Sequence, residues 1–255
     1  MIPTSIDGTD ITGATIDGTD VQEITVDGDV VFSAAPSIPD IPNLIARYDA
    51  RNLSLSDGQT VTSWPDEVAS ADLSAVSNPQ YMASGINGVP AVEYDGVNDR
   101  HDGSFATTIS EPYSIFLSGR LKTRNTGSPK IAYADNPVPG SGFLGFEIDN
   151  TTGSYEWKIN GGIPDTLLGT NDTTAHIFST IFSGGTGSLR VDSSNVGSTS
   201  ARSDLNDFEG ISLAMREDGL EPADIEIVEV LVYNADESSN QTQIENYLDR
   251  DLGLI

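Results

Sequence analysis

Short apolar or alternating runs, each closed by a turn, dominate the sequence from residue 44 onward. Alternation with a period of two puts successive side chains on opposite faces of a strand, and Gly-, Asn-, Asp- or Ser-rich turns separate the runs. The clearest runs are residues 90–95, 113–119, 142–149, 155–159, 176–182 and 187–192. Such a series of short strands predicts an all-β sandwich.

One short helix is predicted near the C-terminus. Ser238 and Gln241 have the spacing of a capping box, and three apolar residues that follow share one helical face. They are Ile244, Tyr247 and Leu248. Gly253 suits the end of the helix.

The chain is strongly acidic, with 39 Asp and Glu against 12 Lys and Arg and a formal net charge of −27. Self-repulsion of this size is tolerable when salt screens it over a short distance, so the composition is typical of proteins that work in near-saturating salt. An ordinary acidic surface that keeps a protein soluble is the alternative. Either way, no basic patch is present to neutralise phosphates, so nucleic acid is not an expected partner.

Several classes of site and location are not expected from the sequence. The chain contains no cysteine, which excludes disulfides, thiolate nucleophiles and cysteine-ligated zinc. Residues 1–7 lack the charged and apolar regions of a secretory signal, so we expect synthesis in the cytoplasm without a signal peptide. No apolar window approaches the length that a membrane-spanning helix needs, and no membrane insertion is expected.

An Asp-Gly repeat precedes the strand-rich region. Residues 6–10 recur as residues 16–20 and, more loosely, as residues 26–29. Because Asp-Gly is a strong hairpin signal, residues 1–33 are predicted to form a small β module of about four short strands. It has too few apolar residues to hold a core alone. A neighbouring copy of the chain, a larger assembly of other proteins or its own sandwich could supply the missing surface.

A proline-rich segment follows this module. Residues 34–43 contain three prolines, which prevent regular strand pairing and favour a stiff linker. The domain boundary is therefore predicted here, with a second domain over residues 44–255.

Three separated motifs occur in an order that resembles the concanavalin A-like jelly roll of the laminin-G-like class. The motifs are residues 44–66, residues 84–99, and residues 225–234 with 244–248. The resemblance implies a laminin-G-like β-sandwich over residues 44–255, whose C-terminal helix covers the sandwich beside the last strand. This fold is widespread in sugar-binding modules and in fibre or decoration proteins of tailed viruses. The Asp-Gly repeats are similar to the attachment ends of fibre proteins from haloarchaeal tailed viruses.

The resemblance and the composition together favour a non-enzymatic virion structural protein of a haloarchaeal tailed virus, either a capsid decoration or turret or a tail fibre. The β module would bind other virion proteins, in a homo-oligomer, and the jelly roll would bind host-surface glycans at the virion surface. The alternative is a haloarchaeal polysaccharide-degrading enzyme or its carbohydrate-binding module. A purely structural decoration that binds no sugar is a third possibility, since fold does not decide function.

The string from Tyr94 to Asp99 offers hard oxygen ligands at the expected rim of the sandwich. Asp95, Asn98, Asp99 and Asp102 could bind a calcium ion, as rim acids of related lectin-like domains do. The alternative is that these side chains cap the backbone of a tight turn at Asp95-Gly96.

Tyr155 and Trp157 alternate on one predicted strand. On a concave outer face they could stack on a sugar ring beside Asn98, and these three residues are the candidate glycan-binding set; on the inner face the two aromatic residues would be core. Trp64 is predicted to be core.

No catalytic residue is predicted. Glu147 and Asp149 match two positions of the three-acid strand of concanavalin-like glucanases, but Thr152 stands at the third. The two histidines, His101 and His176, are expected to be strand or turn residues.

Overall fold

The second of two compact units contains the sandwich. In the computed structural model, backbone and side chains are described for residues 41–123, 132–134, 172–198, 208–216 and 218–255, and only the backbone is described for strands elsewhere. The chain divides into the units Met1–Pro39 and Asp40–Ile255. Within the described ranges, no helix is both long and apolar enough to cross a bilayer.

The first unit contains three separate antiparallel hairpins. Each hairpin has an Asp-Gly dipeptide between its two strands in sequence, as expected for a two-residue connection. The unit thus has six described strands rather than the predicted four, because a strand lies on each side of every Asp-Gly dipeptide. The strands are β1 (Ser5–Ile6), β2 (Thr9–Asp10), β3 (Thr15–Ile16), β4 (Thr19–Asp20), β5 (Glu23–Val26) and β6 (Asp29–Ser33).

The second unit contains sixteen described strands and one α-helix. The strands are β7 (Leu44–Asp49), β8 (Ser63–Trp64), β9 (Leu73–Val76), β10 (Gln80–Ile86), β11 (Val89–Asp95), β12 (Arg100–Ile109), β13 (Tyr113–Leu121), β14 (Lys130–Asp135), β15 (Gly145–Asp149), β16 (Glu156–Asn160), β17 (Thr166–Thr170), β18 (Ala175–Ser183), β19 (Thr186–Val191), β20 (Ser194–Ser200), β21 (Phe208–Leu213) and β22 (Asp224–Tyr233). The helix is α1 (Gln241–Leu248), and a short 3-10 helix (Ala50–Asn52) follows β7.

Two antiparallel sheets form the sandwich. In the first sheet the strand order is β10-β11-β22-β13-β18-β19-β20, and β7 also pairs with β22. In the second sheet it is β17-β16-β15-β14-β21-β12-β9-β8. Seven of the fourteen described strand pairs in these two sheets join strands that are not consecutive in the chain, and several connections therefore cross from one sheet to the other. The predicted all-β sandwich with a short C-terminal helix is confirmed.

Aromatic side chains fill the space between the sheets. The ring of Tyr113 on β13 stacks on Phe182 of β18, with centroids 4.9 Å apart, and on Phe208 of the opposite sheet, at 5.3 Å. Trp64 is fully buried in the same core cluster, so its predicted core position is confirmed. These contacts bury large apolar areas at the centre of the sandwich.

The central strands of the first sheet are buried on both faces. Every residue of β22 from Ile225 to Tyr233 is buried, although only alternate residues can face the core. On the outer side α1 packs against β13 and β18, and Leu252 joins Val228 in a separate apolar cluster. This double burial explains why β22 reads as an almost continuous apolar run.

The apolar face of α1 forms as predicted, but its cap does not. Ile244, Tyr247 and Leu248 are buried. The residue that precedes the helix is Asn240, which makes no side-chain capping bond to the helix. Its amide instead donates to Glu237 Oε2 at 2.6 Å.

A buried ionic network lies where the C-terminal segment covers the first sheet. Glu229 of β22 has no exposed surface, and its carboxylate binds Arg47 Nε at 2.8 Å, Arg51 Nη1 at 2.9 Å and Arg250 Nη1 at 2.7 Å. Asp49 accepts from the same three guanidinium groups at 2.8–3.0 Å. Because a buried charge without a partner is very costly, these contacts tie β7, β22 and the chain after α1 together.

We expect Glu229→Gln to lower the free energy of unfolding by about 3 kcal/mol, because the three guanidinium groups lose one of the two buried carboxylates that they share. Chemical denaturation followed by tryptophan fluorescence in molar KCl measures this. Glu209→Gln, at an exposed position of β21, is the matched control and should change stability by less than about 0.5 kcal/mol. Equal stability of the two variants would contradict a structural role for the network.

Candidate functional site

A polar cleft of about 300 Å³ lies at the rim of the sandwich. Two turns and the strands beside them form it: the turn between β9 and β10, and the turn between β11 and β12. Since β10 and β11 belong to the first sheet and β9 and β12 to the second, the cleft is located where the sheets meet. Its lining consists of Ser77, Asn78, Gln80, Glu93, Asp95, Asn98 and Asp99.

The β11–β12 turn owes its shape to Gly96 and Asp95. Gly96 has a positive φ of 70°, and a Cβ atom at this position would lie 2.9 Å from Asp224. Only glycine satisfies both conditions without strain. Asp95 Oδ1 accepts the backbone N–H of Val97 at 2.8 Å and of Asn98 at 3.2 Å, which is the local bonding that Asp favours in turns.

Asp99 joins the two turns. It is only 5% exposed; its Oδ1 accepts the backbone N–H of Asn78 at 2.8 Å and its Oδ2 that of Asp95 at 3.3 Å. Ser77 Oγ also donates to Asn98 Oδ1 across the same gap, at 2.9 Å. The cleft wall is therefore preformed by hydrogen bonds rather than left to side-chain packing.

A buried histidine, in β12, follows this turn. His101 has no exposed surface; its Nε2 lies 2.9 Å from the carbonyl oxygen of Val61 and its Nδ1 lies 2.8 Å from the hydroxyl of Tyr94. A carbonyl only accepts, so Nε2 carries the proton and Nδ1 accepts from Tyr94. Burial lowers the pKa of His101 to about 4, against the opposing effect of the hydrogen bond to Val61.

The structure brings together three of the four residues predicted as calcium ligands. Asp95, Asn98 and Asp99 line the cleft, whereas Asp102 does not. The carboxylate of Asp102 accepts from Ser212 Oγ at 2.8 Å and from Arg100 Nε at 2.7 Å.

The hydrogen bonds of Asp95 and Asp99 match the alternative interpretation, in which these side chains cap turns. Across the described ranges, no group of three or more His, Asp or Glu side chains is arranged to hold a metal ion. Calcium binding remains a prediction.

The predicted glycan-binding set is only partly described. Asn98 is exposed in the cleft. Tyr155 lies outside the described residues, and of Trp157 only the backbone is described, in β16, where it pairs with Ile148. Glu147 and Asp149 are likewise described only as backbone, in β15. The roles of these four residues remain predictions.

Sequence reasoning missed four residues that line the cleft: Ser77, Asn78, Gln80 and Glu93. Ser77-Asn78-Pro79 carries a turn signal, and Glu93 is a polar position within an apolar strand. Neither signal shows that the β9–β10 turn lies beside the β11–β12 turn, because that proximity arises from strand pairing.

His176, the other histidine, lies in β18 outside the cleft. Its ring lies 2.6 Å from Asp192 Oδ2 and 3.0 Å from Asp172 Oδ1. Burial opposes protonation of this imidazole, but the hydrogen bonds and charges of the two carboxylates raise its pKa above the ordinary value. This pairing agrees with a structural role.

A second concavity, of about 220 Å³, is mainly apolar. Its lining includes Leu44, Val68 and Phe105, with Thr107 as a polar exception. Because a sugar needs hydrogen-bonding partners for several hydroxyl groups, the polar cleft is the better candidate for a carbohydrate site.

The sandwich is similar to domains of several proteins of known structure. Trypanosoma rangeli sialidase in complex with sialic acid matches with a TM-score of 0.59 at 14% identity, over 91% of this chain and 36% of the sialidase. Domain 4 of AbnA, a GH43 extracellular arabinanase from Geobacillus stearothermophilus, in complex with arabinotriose, matches with a TM-score of 0.53 at 13% identity, over 80% of this chain and 98% of that domain. A protein described as the HCR/D W1238A mutant matches with a TM-score of 0.59 at 11% identity, over 82% of this chain and 52% of the other.

The chain has a concanavalin A-like, lectin-like β-sandwich fold. It spans a little over a third of the length of the sialidases that it matches. No protein-family model matches the chain, and no curated protein matches its sequence significantly. At these identities the similarity concerns the fold.

We expect Asp99→Asn to destabilise the protein by about 1–3 kcal/mol, because the amide group would present N–H to one of the two backbone N–H groups that the buried carboxylate accepts from. Thermal and chemical unfolding measure the loss. Asn98→Asp, an exposed change in the same turn, serves as the control and should cost less than about 0.5 kcal/mol. An unchanged stability of Asp99→Asn would show that the two turns do not depend on this carboxylate.

The depressed pKa of His101 predicts a pH dependence of stability. Since the folded-state value of about 4 lies below the ordinary 6.5, the unfolded chain binds the extra proton first. The stability that neutral His101 contributes to the fold is therefore fully present above pH 6.5 and is lost as the pH falls toward 4. The total loss in the free energy of unfolding is about 3 kcal/mol. Urea denaturation of the wild type and of His101→Gln across this range tests it. Identical pH slopes for the two proteins would rule out the predicted titration.

Proposed function

We propose that this protein is a non-enzymatic structural protein on the virion surface of a tailed virus that infects a halophilic archaeon. In this proposal, it is a capsid decoration or turret or a tail fibre. The Asp-Gly hairpins attach a homo-oligomer of the chain to other virion proteins, and the sandwich displays its polar cleft to glycans of the host surface. Weak contacts at single clefts, repeated over many copies, would add up to strong attachment.

The polar cleft is the observation that carries the glycan-binding part of this proposal. It is a preformed concavity on a lectin-like sandwich, and its carboxylate, amide and hydroxyl groups suit the hydroxyl groups of a sugar. One of the similar structures, the arabinanase domain that this chain covers over 98% of its length, contains a carbohydrate ligand, arabinotriose.

The acidic composition and the separate unit of Asp-Gly hairpins support the proposed role as a virion structural protein. A net charge of −27 suits a protein exposed to concentrated salt. The three hairpins of Met1–Pro39 form a compact unit of their own, and two strands per sheet are too few for a self-sufficient core. Such a unit is suited to packing on another surface.

An accessory carbohydrate-binding module of a polysaccharide-degrading enzyme is the second candidate. The match to domain 4 of the arabinanase favours it, because that match covers 98% of a domain that belongs to a larger enzyme. In that case the chain would bind a polysaccharide in the absence of any virus particle.

Immunogold electron microscopy of virus particles from hypersaline lysates separates these candidates. We expect antibodies against the sandwich to label intact particles at regular positions, and cryo-electron microscopy to show multimers joined through residues 1–39. Label confined to cell extract or to secreted enzyme, with clean particles, would reject the virion role.

For the cleft, we expect the double variant Gln80→Ala/Asn98→Ala to bind its glycan at least about 10-fold more weakly, since two hydrogen-bonding groups of about 1 kcal/mol each are removed. Isothermal titration calorimetry with the best ligand from a glycan array measures the change. Gln243→Ala, on the exposed face of α1, should bind as the wild type does. Equal affinity of all three proteins would place the glycan site elsewhere.

A further inference from the structure

Every Lys and Arg side chain that the structure describes is already engaged in an ion pair. Each of these eight side chains has a carboxylate partner within 4 Å, at distances up to 3.1 Å for its nearest one. They are Arg47, Arg51, Arg100, Arg120, Lys122, Arg190, Arg216 and Arg250. In this part of the chain, no unpaired cation is available to bind an anionic group.

The cleft likewise has no unpaired cation among the described residues. No Lys, Arg or His side chain is among the residues that line it. The nearby Lys122 binds Glu93 of the lining, and Arg120 binds Glu226 at 2.5 Å. Asp95 and Asp99 have no cationic partner among the described residues, so the cleft carries excess negative charge.

The two uncompensated carboxylates cannot easily turn away from a ligand. Asp95 and Asp99 are each held by two backbone N–H groups, so withdrawing either would break the turns that form the cleft. Asp224, next to Gly96, adds another acid to the same edge. A ligand therefore meets fixed acceptors, and it must donate hydrogen bonds to them.

We propose that the cleft takes uncharged or amino-bearing saccharides and excludes saccharides with carboxylate, sulfate or phosphate groups. This inference rests on the proposed glycan binding and adds the chemical class of the ligand. Hydroxyl and ammonium groups donate hydrogen bonds to Asp95, Asp99 and Glu93, and the amides of Asn78 and Asn98 can donate or accept. An anionic group placed against these carboxylates has no cation to compensate it, and like-charge juxtaposition of this kind disfavours a ligand strongly.

Concentrated salt does not remove this selectivity. At about 1 M salt the screening length is about 3 Å, so the long-range field of the acidic surface is largely screened. Groups in direct contact lie within that distance and still repel. Molar salt therefore suppresses nonspecific attraction of cationic sugars to the acidic surface and retains the discrimination within the cleft.

The test is a printed array of neutral, amino, uronic, sialylated and sulfated oligosaccharides, probed with the full-length protein in about 2 M KCl. We expect all binders to be neutral or amino-bearing. Calorimetric titration then compares the best binder with its uronic acid counterpart, which should bind at least about 10-fold more weakly.

Charge variants at the cleft sharpen the test. Glu93→Gln removes the partner of Lys122 and leaves an unpaired cation at the cleft edge. Combined with Asp95→Asn, it should reduce the discrimination against the uronic acid ligand by about 10-fold. Glu209→Gln removes one negative charge from β21, outside the cleft lining, and should leave the discrimination unchanged.

The outcomes separate this inference from the glycan-binding proposal. Binding of uronic or sulfated glycans as tight as that of neutral ones would overturn the charge selection while leaving a lectin role intact. Discrimination that survives the double charge variant would also overturn it. Binding of no glycan of any class would reject the glycan-binding proposal itself, and the inference with it.

Discussion

The pairing of buried carboxylates with arginine is the interaction on which the arrangement of the sandwich depends. Glu229 lies in β22, a strand buried on both faces, and a charge in such a place is tolerated only with close partners. Arg47 and Arg51 come from the start of the sandwich, and Arg250 comes from the chain after α1. The first strand of the sandwich, the last strand and the C-terminal segment are therefore held in one arrangement, and α1 covers the outer face of the first sheet at β13 and β18.

The low number of Lys and Arg residues affects both this internal network and the charge of the surface. The chain has only 12 Lys and Arg residues against 39 acids, and each described cation is bound to a carboxylate. Among the described acids without an ion-pair partner, several face solvent, and Asp95 and Asp99 line the cleft. A composition suited to concentrated salt thus also decides what the cleft offers a ligand: acceptors on a rigid wall without a compensating positive charge. In the proposed function, solubility in salt and ligand choice share one physical cause, which is the excess of carboxylates.

The fold was largely predictable, because its strongest signals are local. The apolar runs at β13, β18 and β22 follow from strand alternation and hydrophobicity, and the core position of Trp64 follows from the resemblance to the laminin-G-like class. The capping box at Ser238 was a misleading signal: the side chain of Gln241 is buried against Arg190, at 3.0 Å, and the helix begins three residues after Ser238. Tertiary contacts outweighed a local preference there. The N-terminal strands were undercounted because two-residue strands carry little pattern.

The sequence by itself determined the all-β class, the apolar face of the helix, the acidic surface and the turn at Asp95-Gly96, since these depend on composition and on neighbours along the chain. Only the tertiary structure decided that Ser77 and Asn78 meet Asn98 and Asp99 in one cleft, and that Asp102 is bound elsewhere. It also decided which arginines surround Glu229, from positions up to 182 residues apart. These contacts are made across paired strands and between sheets, and a single sequence carries no local signal for which distant segments come together.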